Sequence, residues 1–224
     1  MCKKNFKLIL MVLCVPFMME SCEIFGLELQ QPYDYDYKVG VPDNRVNLKT
    51  MDFIQSRADL FSLLLEAIEY ADAASLYTEE NATYILPTNT AFNSETATDL
   101  SYFQTHRILF IENGDSIFAI PSSMTSYPKE QVKEFLLYHT VKGKYTWSNL
   151  SAEPTWYDTF AAADTAKINL YLIKDRNPNI AFNDFSGHYK SNIRPRTSNL
   201  LSNEGAYIHV IDSWLDRPTS DLFK

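Results

Sequence analysis

The sequence predicts an α+β domain, with helices in its first half and strands in its second. Between Thr50 and Ala74, apolar residues recur at steps of three and four, which is the spacing of one helix face. From Tyr145 onward, apolar and polar residues alternate in short runs, as they do in half-buried strands. Apolar residues make up 46% of the 224-residue chain, enough for a sizeable core.

The first 21 residues read as an export signal rather than as part of the domain. Three lysines precede an apolar run, Leu8–Met19, which is too short to span a bilayer because a spanning helix needs about 20 residues. Small Ser21 then precedes Cys22, although Glu20 is unusual in a lipoprotein signal. We therefore predict a lipoprotein signal peptide over 1–21 and a lipid on Cys22. An ordinary signal peptide followed by a chance cysteine is the alternative.

Cysteine usage and charge exclude several classes of protein. The other cysteines, Cys2 and Cys14, lie in the predicted signal, so the mature chain would have no disulfide and no thiolate metal site. The formal charge is −8, and removing the signal, whose charged residues sum to +2, leaves −10. An acidic chain is a poor nucleic-acid binder, and an anionic membrane would repel it. We therefore expect acyl chains to hold it on the cell envelope, at the outer membrane and exposed at the surface.

Residues 22–47 are predicted to be a lipid-anchored tether. Tyrosine and aspartate alternate over 33–37, and Pro32, Gly40 and Pro42 surround this run. A solvated spacer is the favoured interpretation. An added edge strand or a tyrosine-rich contact patch remains the alternative.

The elements after the tether follow from periodicity and from turn residues. We expect a helix over 50–74, then a buried strand, Tyr84–Leu86, which Pro87 ends, with Asn89 as the N-cap of the next helix. Strands at 107–111 and 116–120 flank an Asn-Gly pair, which is a strong hairpin signal.

The second half of the chain begins with a helix and continues as strands. Pro128 suits the first turn of that helix, and His139 falls on its apolar face, at i+7 from Val132. The strands that follow are separated by turn residues, and their apolar positions alternate with polar ones. They are predicted at 168–173, 180–183 and 207–211.

Three segments, in this order, resemble the sequence motifs of the fasciclin domain. They are Thr83–Phe92, which contains Pro-Thr-Asn-Thr-Ala-Phe; Leu136–Tyr145, which contains Tyr-His; and Asn203–Asp212, followed by Trp214-Leu215. The resemblance covers 48–218 and implies a β-sandwich wedge with several helices packed along it. It fades over 93–127, where the hairpin would be an insertion, and 219–224 would be a short tail.

The resemblance implies adhesion to cell surfaces, matrix proteins or glycans, with no common cofactor or catalytic site. By analogy with some animal relatives, Tyr138 and His139 would contact a receptor. The competing and favoured interpretation is structural: a half-buried histidine whose ring donates to a nearby backbone carbonyl. Gly205 is expected to adopt a positive φ at the entry to the last strand.

Exposed aromatic residues suggest an alternative function, that of a glycan-binding accessory lipoprotein of a surface nutrient-uptake system. Trp147 and Trp156, with Tyr157, are the candidates for a platform that stacks on sugar rings, and core packing is the competing interpretation. Glu23, an acidic residue after the lipidated cysteine, is compatible with export to the outer face.

Metal binding and catalysis have little support in the sequence. The four histidines lack His-x-x-x-His spacing, and no Gly-x-Ser-x-Gly segment is present. We therefore expect no metal, no cofactor and no enzymatic activity, with a hydrolase as the remote alternative. The expected partners are the membrane, through the lipid, and an extracellular or envelope protein or glycan.

Overall fold

The computed structural model describes residues 43–94, 100–112, 115–176 and 178–223, and the backbone of 23–24 and 27–28. The chain divides into two units, and in the first, Met1–Pro42, strands β1 (Glu23–Ile24) and β2 (Leu27–Glu28) pair antiparallel. The predicted signal peptide, Cys22 and the Tyr/Asp run lie outside the described residues. None of the helices in the described part of the chain is long and apolar enough to cross a membrane.

Helices occupy the first half of the second unit, Asp43–Lys224, as the periodicity predicts. The α-helices are α1 (Thr50–Ser56), α2 (Ala58–Tyr70), α3 (Asn89–Phe92), α4 (Tyr102–Thr105) and α5 (Lys129–Tyr138). Short 3₁₀ turns lie at Ala74–Thr78, Met124–Ser126 and Ser220–Phe223. The helix predicted over 50–74 is interrupted at Arg57, whose φ of −118° and ψ of 45° are not helical.

The N-cap of α3 is Thr88 and not, as the sequence predicted, Asn89. The side chain of Asn89 instead contacts a kink in α2. Phe61 leaves helical geometry, and the amide of Asn89 enters the opened turn. Its Oδ1 accepts the N–H of Leu63 at 3.0 Å, and its Nδ2 donates to the carbonyl of Asp59 at 3.2 Å. These two backbone groups would pair with each other in a regular helix, so Asn89 bridges the break.

The described strands of the second unit form two sheets and a separate hairpin. They are β3 (Ala82–Pro87), β4 (Ile108–Glu112), β5 (Asp115–Ala119), β6 (Thr140–Lys142), β7 (Thr155–Asp158), β8 (Lys167–Ile173), β9 (Asn179–Phe182), β10 (Pro195–Leu201) and β11 (Tyr207–Ile211). One sheet has the order β10-β11-β3-β6, with only β11 and β3 parallel, and the other is antiparallel β7-β8-β9. An antiparallel bridge between Val141 and Thr159 joins the two sheets at one edge. Strands β4 and β5 pair with each other as a hairpin.

The four-stranded sheet is covered on both faces, which confirms the predicted α+β sandwich with helices along it. Tyr84 and Leu86 of β3 pack into a core shared with the helices, whereas Ile85 points into a second core between the two sheets. In β11, Ile208 likewise packs in the core shared with the helices, and Ile211 packs in the core between the two sheets. Because both faces of these strands are buried, they read as continuous apolar runs instead of alternating ones.

Residues near both ends of the second unit contact its strands. A parallel bridge joins Arg45 to Leu201 near the start of the second unit, Asp43–Lys224. At the other end, the ring of Phe223 lies 5.0 Å from that of Trp156, and the predicted tail therefore packs on β7. Gly205 has the expected positive φ, +84°.

Candidate binding surfaces

The three motif segments lie side by side in the four-stranded sheet. The first supplies β3, the second supplies β6 and the third supplies β11, and the sheet order is β11-β3-β6. The backbone N–H of Ile85 in the first segment donates to the carbonyl of His139 in the second, at 2.9 Å. The motif residues therefore form the centre of the fold.

Tyr138, a predicted contact residue, is 2% exposed. Its hydroxyl lies 3.0 Å from two carbonyls, those of Lys167 and Asp216, and accepts from Nδ2 of Asn183 at 2.9 Å. Burial raises the pKa of this phenol well above its usual value. The side chain thus joins the sandwich to the end of the chain, and its hydroxyl is fully engaged.

His139 is equally buried and makes two hydrogen bonds that determine its tautomer. Nε2 accepts the backbone N–H of Leu215 at 3.0 Å, so the ring proton resides on Nδ1 and is donated to the carbonyl of Phe135 at 2.8 Å. Burial lowers the pKa of His139 to about 4, which keeps the ring neutral at physiological pH. A partner outside the domain would not reach this ring.

The segment after β11, Trp214–Arg217, is called the closing segment below. Three consecutive backbone N–H groups of this segment donate to side chains. The N–H of Trp214 donates to the hydroxyl of Tyr189 at 3.2 Å, and that of Leu215 donates to His139. The N–H of Asp216 donates to Nε2 of His188 at 3.0 Å. The rings of Trp214 and Tyr189 also stack, with centroids 4.0 Å apart. Side chains here replace the ladder that a strand would provide.

A cleft of about 260 Å³ lies beside the closing segment. Its aromatic floor includes Tyr102 and Trp214, which are 4% and 3% exposed. Its rim includes the ion pair between Arg217 and Glu134, 2.6 Å long. Since little ring surface faces solvent, the cleft is a poor platform for stacking a sugar.

Trp147 differs from these buried rings because 43% of it is exposed. It lines a depression of about 190 Å³ together with Asn44, Thr146, Ser148, Asn199 and Tyr207. This set of amides and hydroxyls carries no charged side chain, so the depression suits a neutral polar ligand.

The Trp147 loop is held in place by a bulge in β10. The pairing of β10 with β11 shifts register between Thr197 and Leu200, and Asn199 adopts a left-handed conformation there, with φ of 59°. From that position its Oδ1 accepts the backbone N–H of Trp147 at 3.1 Å, and its carbonyl accepts from Nδ2 of Asn44. The exposed ring is therefore presented by a constrained loop.

Trp156 and Tyr157 do not join Trp147 in the depression. As neighbours in β7 they point to opposite faces of the strand. The ring of Trp156 packs against Phe185 at 5.3 Å, and Tyr157 packs against Tyr145 at 4.2 Å and against the core between the sheets. Of the three predicted platform residues, the structure leaves Trp147 as the exposed one.

In the described residues, the most exposed apolar side chains cluster on the β4–β5 hairpin, which the sequence predicts as a hairpin but not as a binding surface. On the β4–β5 hairpin and just after it, large apolar side chains are 43–76% exposed: Leu109, Phe110, Ile111, Ile117, Phe118 and Ile120. The available signal was the composition, since Ile108–Ile111 is a run of four apolar residues where a half-buried strand would alternate.

The buried histidines do not converge on a metal site. In the described residues, no group of three or more histidine, cysteine or acidic side chains is arranged to hold an ion. His209 is used in the same way as His139: its Nδ1 accepts the N–H of Asn199 at 3.3 Å, and its Nε2 donates to the carbonyl of Tyr145 at 3.0 Å.

Comparison with known proteins finds a distant likeness to solved structures. No protein-family model matches the chain, and no curated protein sequence does. A solved structure described as "Novel Fold Revealed by the Structure of a FAS1 Domain Pair from the Insect Cell Adhesion Molecule Fasciclin I" is similar at 11% identity, with a TM-score of 0.41. The match covers 76% of this chain and 46% of that one, so this chain spans about half its length. The proposals below rest on this chain's own residues.

Proposed function

We propose that this protein is a fasciclin-like lipoprotein that is tethered to the cell envelope through Cys22 and acts as a non-catalytic adhesion or protein-interaction module. The observation that carries the interaction role is the β4–β5 hairpin, whose apolar side chains are exposed in the described structure. The signal-like leader and the three motif segments support the tether and the fasciclin-like assignment.

Two physical arguments favour a protein partner for the hairpin. A two-stranded hairpin is at best marginally stable in water without a third strand or a packed face. Contiguous exposed apolar patches above a few hundred Å² are rare on monomers and mark interaction surfaces. Placing six large apolar side chains on this hairpin is therefore costly unless another molecule covers them.

The tether and the interaction are tested by separate measurements on the full chain in its own membranes. Mass spectrometry of the N-terminal peptide, with protease shaving of intact cells, should show a diacyl- or triacyl-glyceryl Cys22 on a shaveable protein. An unmodified terminus, or a protein shielded from protease, would overturn surface tethering.

For the interaction, a benzophenone amino acid at Phe118 should give discrete protein adducts under ultraviolet light. The same probe at Phe223, which is 39% exposed and packs on Trp156 of β7, is the control and should give none of those adducts. Absence of adducts from Phe118 would contradict an interaction through the hairpin.

A second candidate function, glycan binding, is favoured by the Trp147 depression. An exposed indole beside amides and hydroxyls matches the two surfaces of a sugar ring, one apolar and one polar, and the lack of charged lining residues favours a neutral glycan. Its volume, about 190 Å³, is smaller than the roughly 300–1,000 Å³ of clefts that enclose drug-sized ligands, so one ring unit is the expected contact.

The matched variants Trp147→Ala and Trp156→Ala test that candidate. We expect glycan-array signals to fall at least tenfold in Trp147→Ala and to persist in Trp156→Ala, because Trp156 is packed against Phe185 and Phe223. An array without hits, or equal losses in both variants, would rule out this depression as a glycan site.

A further inference from the structure

A cavity of about 420 Å³ lies between the first two helices and the β10 edge of the four-stranded sheet. It is larger than the cleft beside the closing segment and the Trp147 depression, and it shares no lining residue with either. Its size falls within the roughly 300–1,000 Å³ of pockets that enclose small molecules. Its wall is mainly apolar and includes Val46, Phe53, Leu60, Phe61, Leu200 and Val210.

Irregular backbone borders the cavity on both sides. On the helix side, α1 ends at Arg57, whose backbone is not helical, and α2 leaves helical geometry at Phe61. On the sheet side, the pairing of β10 with β11 shifts register before and after Thr197. Bulges of this kind are over-represented beside active sites, where they redirect side chains. Both irregular segments contribute a charged residue to the cavity, Arg57 from the helices and Arg196 from β10.

The two charged side chains that line the cavity are therefore both arginines. They are 48% and 53% exposed, which places them at the mouth and not on the apolar wall. The chain as a whole is acidic, with a formal charge of −8, so an anion is repelled by most of its surface. An apolar wall with two guanidinium groups at its mouth is complementary to a ligand with an apolar body and a negative end.

The two arginines differ in how firmly their neighbours hold them. Arg57 donates two hydrogen bonds to the carboxylate of Asp59, at 3.1 and 3.2 Å. Arg196 makes one contact with Asp212, at 3.5 Å, and exposed pairs of this kind contribute little to stability. Asp212 also accepts the hydroxyl of Thr88 at 2.7 Å, so it keeps a partner when Arg196 turns to a ligand. Arg196 is therefore the arginine that an anion would engage.

We propose that this cavity binds a single-chain amphipathic carboxylate, with its alkyl chain against the apolar wall and its carboxylate paired with Arg196. The guanidinium fork matches a carboxylate with two parallel N–H···O bonds. Apolar contact supplies most of the affinity of such a pocket, and the polar group fixes the orientation of the ligand. The site is separate from the β4–β5 hairpin, so it goes beyond the interaction role proposed above.

Other amphipathic ligands fit the cavity less well. A bilayer lipid carries two acyl chains, whereas the cavity lies near the lower end of the size range for small-molecule pockets. A cationic amphiphile would be repelled by both arginines, and a neutral one would leave Arg196 without a role. Each of these ligands is an outcome that the experiment can detect.

Photolabelling in native membranes tests the site on the full chain. The membranes are incubated with a ten-carbon carboxylate that carries a diazirine near the end of its chain, irradiated, and digested for mass spectrometry. We expect adducts in the peptides that contain Phe61 and Leu200, one from the helix side of the cavity and one from the sheet side. Adducts confined to other parts of the chain would overturn the proposal.

Competition by unlabelled ligands at equal free concentration separates the carboxylate from the alkyl chain. Decanoate should halve the labelling at a concentration at least tenfold below that of decanol or decylamine. Octanoate should compete roughly tenfold less well than decanoate, because each buried methylene is worth roughly a fourfold change in affinity. Equal competition by decanoate and decanol would contradict carboxylate recognition. Displacement by phosphatidylglycerol vesicles but not by decanoate would overturn the proposal in favour of a bilayer lipid.

Arginine variants test the role of Arg196 directly. Arg196→Gln should reduce labelling of the two peptides at least fivefold, and Arg57→Gln should reduce it less, because Asp59 already holds Arg57. The matched control is Arg194→Gln, which changes an arginine that binds Asn192 outside the cavity and should stay within twofold of the parent. Equal labelling in Arg196→Gln and Arg194→Gln would overturn the assignment of Arg196.

Discussion

The closing segment and the β4–β5 hairpin are both short pieces of chain outside the two sheets. They differ in what their backbone groups bond to and in whether their apolar side chains are buried. In the closing segment, Trp214 and Leu215 are buried, and their backbone N–H groups are received by Tyr189 and His139. In the hairpin, the backbone pairs with itself, and the apolar side chains face solvent.

The difference separates a region that stabilises the domain from a region that we propose contacts another molecule. Imidazole and phenol acceptors hold the backbone of the closing segment, so removing one of them should lower the free energy of unfolding. The hairpin contributes little to the core and leaves its apolar surface available. The Tyr-His motif belongs with the stabilising region, whereas the segment where the resemblance to known motifs fades carries the surface that suits a partner.

Acidification should give the largest effect and should act on the stabilising region. His139 and His209 have pKa values lowered by burial from 6.5 to about 4, so below pH 6.5 the unfolded chain binds protons that the folded chain does not. Their contribution is fully present above pH 6.5 and is lost as the pH falls towards 4, on the order of 3 kcal/mol for each histidine.

Urea midpoints measured at pH 7.5, 6, 5 and 4.5 check this expectation, and they should decrease steadily below pH 6.5. The carboxylates whose pKa is lowered by exposed ion pairs, such as Asp59 and Asp158, titrate below their usual 3.8 and lie outside this window. Midpoints that stay constant between pH 7.5 and 4.5 would mean that these rings are not buried as neutral acceptors.

The variant His139→Ala isolates one of these acceptors at neutral pH. It removes a buried ring and leaves the N–H of Leu215 without its partner, so we expect a loss of about 3–5 kcal/mol in the free energy of unfolding. The comparison variant His106→Ala removes a half-buried ring that makes only ring contacts with Trp214 of the closing segment and stacks on Tyr102, and it should cost about 1 kcal/mol. Equal losses of unfolding free energy in the two variants would mean that the hydrogen bond from Leu215 to His139 adds nothing to stability.

The sequence predicts local features of this fold well, because their causes lie within a few residues. The hairpin follows from its Asn-Gly pair, and strands predicted at 107–111 and 116–120 are observed at Ile108–Glu112 and Asp115–Ala119. The position of His139 on an apolar helix face likewise follows from spacing alone.

The long-range contacts could not be predicted from the sequence. The amide that Asn89 inserts into α2 is 26 residues away from Leu63, and the acceptor that His139 offers Leu215 is 76 residues away. Propensity and spacing identify such residues as caps or core positions but do not identify their partners. For the same reason, the sequence groups three aromatic residues as a platform, whereas in the structure Trp156 packs on Phe185, Tyr157 packs on Tyr145, and Trp147 is 43% exposed.

Tyr138→Phe should have a smaller effect, about 1–2 kcal/mol, because only the hydroxyl is removed. Nδ2 of Asn183 would lose one acceptor but keep the carbonyl of Asp216, 2.8 Å away. Chemical denaturation beside Tyr171→Phe, whose hydroxyl donates to the partly exposed Asp184, provides the comparison, and the control should change by less than about 0.5 kcal/mol. A loss in Tyr138→Phe no larger than the control's would show that the hydroxyl does not help to hold the closing segment.

The smallest effect on stability should come from the hairpin variant Ile111→Lys/Phe118→Lys. Both side chains are mainly exposed, so replacing them should change the free energy of unfolding of the dissociated chain by less than about 0.5 kcal/mol. The measurement is made at low protein concentration, where a contact with another molecule contributes nothing to stability. A loss of several kcal/mol under these conditions would mean that these side chains pack within their own domain, and the contrast between a stabilising segment and a recognition hairpin would fail. Unchanged stability would instead agree with a role of these residues in the proposed contact with another molecule.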